Sequence, residues 1–212
     1  MMQWVMDNID DLLQRRKDPN NKFLQWHKEV DKAITMEDLE ELLSKAKKGT
    51  APGATGVPIE LWAYAIEEVK EELLIVMNMV LDEGVIPDIW RNRVIRPLAK
   101  TETAIGLEDI RPITLLEVSQ KILTGILTAR INTIWNTERV LHDSQMAFLF
   151  GRGCYQAIER TKGLHLDCDA RNEKGEKAEL HMLYLDLAKA YDSVEYWALE
   201  DAMRGLGVPE KV

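Results

Sequence analysis

The β-prone segments of this sequence are few and short, and they are not strung between single helices. That order excludes a doubly wound parallel sheet, which needs a crossover helix between successive strands. It leaves an α+β fold in which helices dominate and strands pair locally. Val94, Ile95 and Leu98 form one such segment, and IRPITLL at 110–116 forms another. The polar stretch at 100–109 joins them, so they read as two arms of a hairpin with basic residues on both. Leu180–Leu187 reads as a further strand.

The remainder is helical in period. Thr35 is placed to cap a helix whose first turn holds Glu37 and Asp38, with Leu39, Leu42, Leu43 and Ala46 following before Gly49. After the loop TAPGATG at 50–56, Pro58 suits the first turn of a second helix. Its expected apolar stripe runs through Leu61, Ala65, Ile66, Val69, Leu73, Val76 and Val80 to a stop at Gly84. Long helices are expected over about 116–136 and 155–170, with a turn at 171–178. Ser193 can cap a last helix ending near Gly205 and Gly207. The polar segment 1–35 reads as a linker or the tail of an upstream region, and 36–212 as one partial domain.

Several function classes are excluded at this level. No apolar run approaches the roughly 18 residues that cross a bilayer, and Asn78 interrupts the longest candidate. The N-terminus lacks the basic start and small-residue cleavage site of a secretory signal, so an intracellular protein, cytoplasmic or nuclear, is expected. Two cysteines, Cys154 and Cys168, are too few for a disulfide framework or zinc knuckle. The four histidines show no ligand spacing. Trp26, Trp62, Trp90, Trp135 and Trp197 read as core or interface residues.

A formal charge of −9 argues against a nucleic-acid partner until its distribution is examined. Residues 1–90 carry 10 basic and 18 acidic side chains, and residues 163–212 carry 6 and 11. Residues 91–162 carry 11 and 7, the only basic third, with Arg91, Arg93, Arg96 and Lys100 clustered without an intervening acid. Such a run is either a solvated face or an anion-binding one.

Chemistry concentrates in LYLDLAKAYDSV at 183–194, where an apolar strand ends at Asp186 and turns within a few residues into a helix. A carboxylate at the rim of a sheet, with its oxygens open, can hold a hard divalent cation that keeps positions for substrate phosphates. Equally, Asp186 can be a surface residue beside a strand end, with Asp192 starting the helix.

Read in order, five blocks over about residues 40–207 resemble the fingers and early palm of a reverse transcriptase, most like those of non-LTR (LINE-type) retroelements. KAKKGTAPGATGVPIELW at 45–62 resembles the opening block of lysines, a Pro-Gly turn and "G-I/V-P-x-E". GVIPDIWRNRVIRPLAK at 84–100 resembles the first fingers block, and DIRPITLLEVSQKILTGILTARI at 109–131 the "RPI-S/T-L" block with its helix. SQMAFLFGRGCYQAI at 144–158 resembles the "Q-x-G-F" block, and LYLDLAKAYDSV resembles motif A of the palm.

The resemblance implies a right-hand polymerase that adds dNTPs to a DNA primer on an RNA template by two-metal phosphoryl transfer, with Mg²⁺ or Mn²⁺ as cofactor. It implies that Asp186 and the Leu187 carbonyl hold the metal, and that Lys100 and Arg111 clamp the triphosphate. It places the amides of Ala188, Lys189 and Ala190 against phosphate oxygens and the Tyr191 ring against the sugar, where no 2′-hydroxyl fits. Gln145, Phe148 and Arg152 would lie along the template.

The chain departs from the family in three places. Ala54 and Thr55 replace Pro-Asp, and Ala147-Phe148-Leu149 replaces "G-F-R". The sequence also stops at Val212, before the "Y/F-A-D-D" catalytic hairpin and the thumb. It is therefore expected to be a fragment or truncated copy, inactive alone. Two competing readings are a degenerate or domesticated piece that binds RNA or protein without catalysis, and a group II intron maturase-like enzyme.

Overall fold

The computed structural model describes residues 27–102, 106, 109–209 and 212. They divide into two compact units: Lys28–Arg130 with Pro209 and Val212, and Ile131–Val208.

In the first unit a 3₁₀ turn, His27–Glu29, precedes α1 (Met36–Lys45). The Thr35 hydroxyl accepts the Asp38 N–H at 3.2 Å, and the Asp38 carboxylate accepts the Thr35 N–H at 3.0 Å. The Thr35 cap is the one the sequence predicts; the return bond from Asp38 makes it a reciprocal capping box, which satisfies two donors at the helix start. α1 turns Leu39 and Leu43 inward.

The helix expected from Pro58 to Gly84 is instead two, α2 (Ile59–Ala63) and α3 (Glu67–Glu83). Ile66 is extended, with φ −65° and ψ 159°, so α3 restarts in a new phase. Its buried stripe is Lys70, Leu73, Met77 and Leu81. Of the expected stripe, Leu73 is buried and Val80 packs on the core, whereas Leu61, Ile66, Val69 and Val76 are exposed. Apolar residues occupy so many α3 positions that several stripes fit the same sequence. Gly84 ends α3 as expected, at φ 68° with its N–H on the Val80 carbonyl.

α4 (Asp88–Arg91) then leads to β1 (Val94–Ala99) and β2 (Ile110–Leu115), which form the expected antiparallel hairpin, before α5 (Val118–Thr137). The core gathers Leu39 and Leu43 of α1, Met77 of α3, Trp90 of α4 and Ile122 and Ile126 of α5. Three polar ties cross it. Asn78, the residue that interrupts the apolar run, pairs with both the N–H (2.7 Å) and the carbonyl (3.0 Å) of Ile34. Lys70 reaches Glu40 at 2.6 Å. Arg130 donates to the carbonyls of Val30, Lys32 and Ala33 and to Asp38 at 2.8 Å.

The second unit contains α6 (Cys154–Glu173) and α7 (Tyr196–Gly205), neither of which buries a residue. Both cysteines lie on α6. Two expectations are corrected here. Leu180–Leu187 is not a strand: it pairs with no described residue, and Leu185 is 83% exposed. A strand exists through its neighbour's hydrogen bonds, and among the described residues this segment has no neighbour to supply them. Ser193 does not cap α7. Its hydroxyl donates to Ala190 at 3.1 Å inside the preceding turn, and α7 begins after Glu195 without a side-chain cap. Trp197, expected in a core or interface, is exposed.

Among the described residues the molecule is thus helix-rich with one two-stranded antiparallel sheet, compatible with an α+β fold. No described helix is long and apolar enough to cross a membrane.

Candidate functional site

The hairpin stands clear of the core, with every residue of β1 exposed. Val94 lies opposite Leu115 and Ala99 opposite Ile110. The Lys100 N–H donates to the Asp109 carbonyl at 2.7 Å, which extends the register by one pair and makes that pair the hydrogen-bonded type. Side chains alternate between faces along each strand. Arg96, Leu98 and Lys100 therefore share one face with Ile113, Arg111 and Asp109 across the ribbon. The opposite face carries Ile95, Pro97 and Ala99 with Thr114, Pro112 and Ile110.

The basic cluster seen in sequence divides in the structure. Arg91 approaches Asp88 at 3.7 Å, and the Arg93 guanidinium donates to the backbone carbonyls of Trp90 and Asn92. Both are tied to α4 and its C-terminal end. The guanidiniums of Arg96 and Arg111 have no partner among the described residues. Sequence reasoning sets Arg111 on the triphosphate and Arg96 only in the basic cluster with Arg91 and Arg93, without placing Arg96 on the Lys100 face. Strand parity is the signal that would have found it, since Arg96 is four residues before Lys100.

The base of the ribbon is fixed by the loop at 50–56. Glu117, just after β2, is buried, and its carboxylate accepts the Thr55 N–H at 2.8 Å and the Thr55 hydroxyl at 2.6 Å. Lys121 adds a bond to the Ala51 carbonyl at 3.3 Å. Gly53 fits because it has no Cβ: one would sit 2.7 Å from the Glu117 Cα and from the Leu116 carbonyl oxygen. Thr55, which the sequence reading treats only as a departure, is the residue that grips Glu117. Farther along this block, the Gly49 N–H holds the Glu60 carboxyl below its ordinary range.

In the second unit, the loop before α6 carries the three expected template residues. The Gln145 side chain donates to the Ala147 carbonyl at 3.1 Å. Arg152 donates to the carbonyls of Asp143 (3.2 Å) and Gln145 (3.1 Å) and approaches the Asp143 carboxylate at 3.6 Å. Arg152 thus braces the loop. Phe148 has φ 62°, a left-handed backbone uncommon for a non-glycine residue, and its ring is 81% exposed.

Asp186 lies in the irregular, exposed segment before a turn at 188–193. The Ser193 N–H closes that turn onto the Lys189 carbonyl at 3.0 Å, with Lys189 at φ 51°. The amides of Ala188, Lys189 and Ala190 have no acceptor among the described residues, and the Tyr191 ring is exposed.

The donor chemistry fits magnesium in part. A Mg²⁺ ion takes one or two carboxylates and completes its shell with water and substrate phosphates. Asp186 and the Leu187 carbonyl would supply two oxygens of that kind. The described residues contain no group of three or more acidic, histidine or cysteine side chains that could hold a metal unaided.

No family model matches the chain. It is 24% identical over 163 residues to the RNA-directed DNA polymerase from mobile element jockey of Drosophila melanogaster, covering 76% of this chain and 17% of that protein. It is 27% identical to the retrovirus-related Pol polyprotein from the type-2 retrotransposable element R2DM of the same organism, covering 84% and 16%. The uncharacterized 149 kDa protein of transposon TX1 from Xenopus laevis is 22% identical over 79% of this chain and 12% of its own. The chain therefore spans less than a fifth of the length of these relatives. Over 76–84% of its own length, this chain is similar to proteins of transposable elements, among them the RNA-directed DNA polymerase from mobile element jockey.

Proposed function

We propose that this chain forms the fingers and the first palm element of a right-hand RNA-directed DNA polymerase of a retroelement, which extends a DNA primer on an RNA template. The observation that carries the reading is the ribbon register, which brings Lys100 and Arg111 to one face on adjacent rungs. A guanidinium fork beside an ammonium suits the non-bridging oxygens of a nucleoside triphosphate. Homology to polymerases over most of the chain supports the same assignment.

In this reading Lys100 and Arg111 bind and orient the triphosphate. In the other unit, the open amides of Ala188, Lys189 and Ala190 are donors suited to phosphate oxygens. The Tyr191 ring packs against the sugar and leaves a 2′-hydroxyl neither room nor a partner, which selects deoxynucleotides. Phe148 offers a flat face to a template base, in a loop that Arg152 braces. Asp186 and the Leu187 carbonyl would hold magnesium, which when bound neutralises triphosphate charge and activates the primer hydroxyl. Two-metal chemistry needs at least one carboxylate more than Asp186.

Nucleotide binding tests the reading directly. The 212-residue chain is titrated with a fluorescent dNTP and Mg²⁺. Saturable binding weakened about tenfold by Arg111→Gln, and retained in Arg171→Gln, is expected; a loss of one charge-assisted contact has that size. Absence of saturable binding would overturn the proposal.

A further inference from the structure

We propose that the outward face of α3 is a docking surface for an amphipathic helix of a partner protein, one that carries lysine or arginine at both ends of its apolar stripe. The surface lies wholly in the first unit and takes nothing from the polymerase reading.

α3 has two apolar faces, and the core uses one of them. Lys70, Leu73, Met77 and Leu81 form the buried stripe. On the opposite side of the helix, Ile75, Val76 and Met79 are 54%, 37% and 52% exposed. A surface helix ordinarily keeps polar residues there. Scattered exposed apolar residues are normal, but three within two turns of one face form a patch. Met79 is flexible and polarisable, so it can adapt to the side chain that it meets.

The acids around the patch define what can cover it. Glu68, Glu72, Val76, Met79 and Glu83 follow at spacings of four, four, three and four. They therefore run in one line along the helix, with glutamates at both ends. The carboxylates of Glu68, Glu72 and Glu83 have no partner among the described residues. The single cation of α3, Lys70, is turned inward onto Glu40. Glu68 and Glu72 are thus like charges one turn apart, which weakens a helix. A cation laid across them relieves that repulsion.

Charge separates the possible occupants. A second copy in a two-fold pair presents this same surface to itself, so glutamates would face glutamates. A nucleic acid would bring phosphates to the same carboxylates. A basic amphipathic helix matches both features, because its stripe at i, i+3, i+4 and i+7 covers the patch and its cations reach the acids. Glu72 and Glu83 are about 16 Å apart along the axis, so a partner of about three turns spans them.

The test is an anisotropy titration of the full 212-residue chain with a fluorescein-labelled synthetic peptide. The probe is a capped helix of about 16 residues, long enough to form turns in water, with leucines on one face and lysines at both ends. Saturable binding is expected, weakened at least about tenfold by Ile75→Gln with Met79→Gln. Leu183→Ser with Leu185→Ser, which alters exposed leucines of the other unit, is expected to leave it unchanged. Glu72→Lys with Glu83→Lys is expected to lose the lysine peptide and to gain a counterpart in which every lysine is glutamate. That exchange of preference distinguishes docking from loss of fold. All four substituted α3 residues are exposed, so circular dichroism of the variants is expected to match the parent. No saturable binding, equal binding of both peptides by the parent, or an equal loss in the Leu183 and Leu185 variant would overturn the proposal. So would a parent dimer in analytical ultracentrifugation that Ile75→Gln with Met79→Gln dissociates, since a second copy would then be the occupant.

Discussion

Thr55 and Glu117 are 62 positions apart, and one residue satisfies both carboxylate oxygens of the other: the Thr55 N–H meets Oε1 at 2.8 Å and its hydroxyl meets Oε2 at 2.6 Å. The carboxylate is buried, so the pair fastens the 50–56 loop to the residue that follows the ribbon. Removing the hydroxyl strands a lone pair of a buried charge, which costs about 1–3 kcal/mol. Thr55→Val is expected to destabilise the chain by that amount in urea unfolding. Thr55→Asp is expected to cost more, since it sets a second carboxylate against Glu117. A Thr55→Asp chain as stable as the parent at neutral pH would contradict the geometry.

Gly53 makes a sharper version of the same prediction. A Cβ there meets backbone atoms of Leu116 and Glu117, which cannot rotate away as a flexible side chain can. Gly53→Ala is therefore expected to displace the ribbon base and cost about 1–3 kcal/mol, the range of an overpacked site. Thermal unfolding measures it, and a melting temperature equal to the parent's would show that the loop is not seated on Glu117.

These two sites show what local sequence can and cannot convey. The cap at Thr35 and the stop at Gly84 are legible because their partners lie within four residues. The hairpin is legible because its two arms are adjacent in the chain. Glu117 carries no local mark of burial; its partner is a loop threonine 62 positions away. The α3 stripe was misplaced because the break at Ile66 resets the helical phase and because apolar residues fit several stripes. Leu180–Leu187 has the composition of a strand, but strand formation depends on a neighbour that no described residue provides. At the candidate site, the basic cluster was visible, yet only the structure separates Arg91 and Arg93, held by α4 and its C-terminal end, from Arg96.

Asp38 gives the chain a defined acid sensitivity. Burial raises its pKa, but the Thr35 N–H and the hydrogen bond and charge of Arg130 outweigh that, so it is held below the ordinary carboxylate value. A folded pKa below the unfolded one adds stability that is fully present above the unfolded value, about 3.9. That stability is lost as pH falls through the folded value. Asp38→Asn is therefore expected to be less stable than the parent at pH 7, with the gap closing in acid below about pH 3.9. Urea unfolding of both chains at the two pH values checks it, and a gap independent of pH would rule out the ionised pair as its source.

Lys70 and Glu40 should respond asymmetrically to substitution. The Lys70 side chain is 10% exposed and that of Glu40 52%, so most of the desolvation falls on the ammonium. Glu40→Gln leaves the ammonium buried beside a neutral amide and is expected to cost about 1–2 kcal/mol. Lys70→Met removes the buried charge and extends the apolar stripe of Leu73, Met77 and Leu81, and is expected to be neutral or stabilising. Equal destabilisation by both would mean that the ion pair itself, not burial of the lysine, governs the site.

The exposed segment before Asp186 predicts a separation of solubility from stability. Leu183 and Leu185 are 68% and 83% exposed, and they bury nothing that their replacement would uncover. Leu183→Ser with Leu185→Lys is therefore expected to change unfolding free energy by no more than about 0.5 kcal/mol, the range of surface substitutions. Leu73→Ala, in the core of the first unit, is expected to cost about 2–5 kcal/mol. Exposed apolar side chains on a backbone unpaired among the described residues favour association between chains. The double substitution should lower the association seen by analytical ultracentrifugation while leaving the urea midpoint in place. A large fall in that midpoint would show instead that Leu183 and Leu185 pack against the chain in solution.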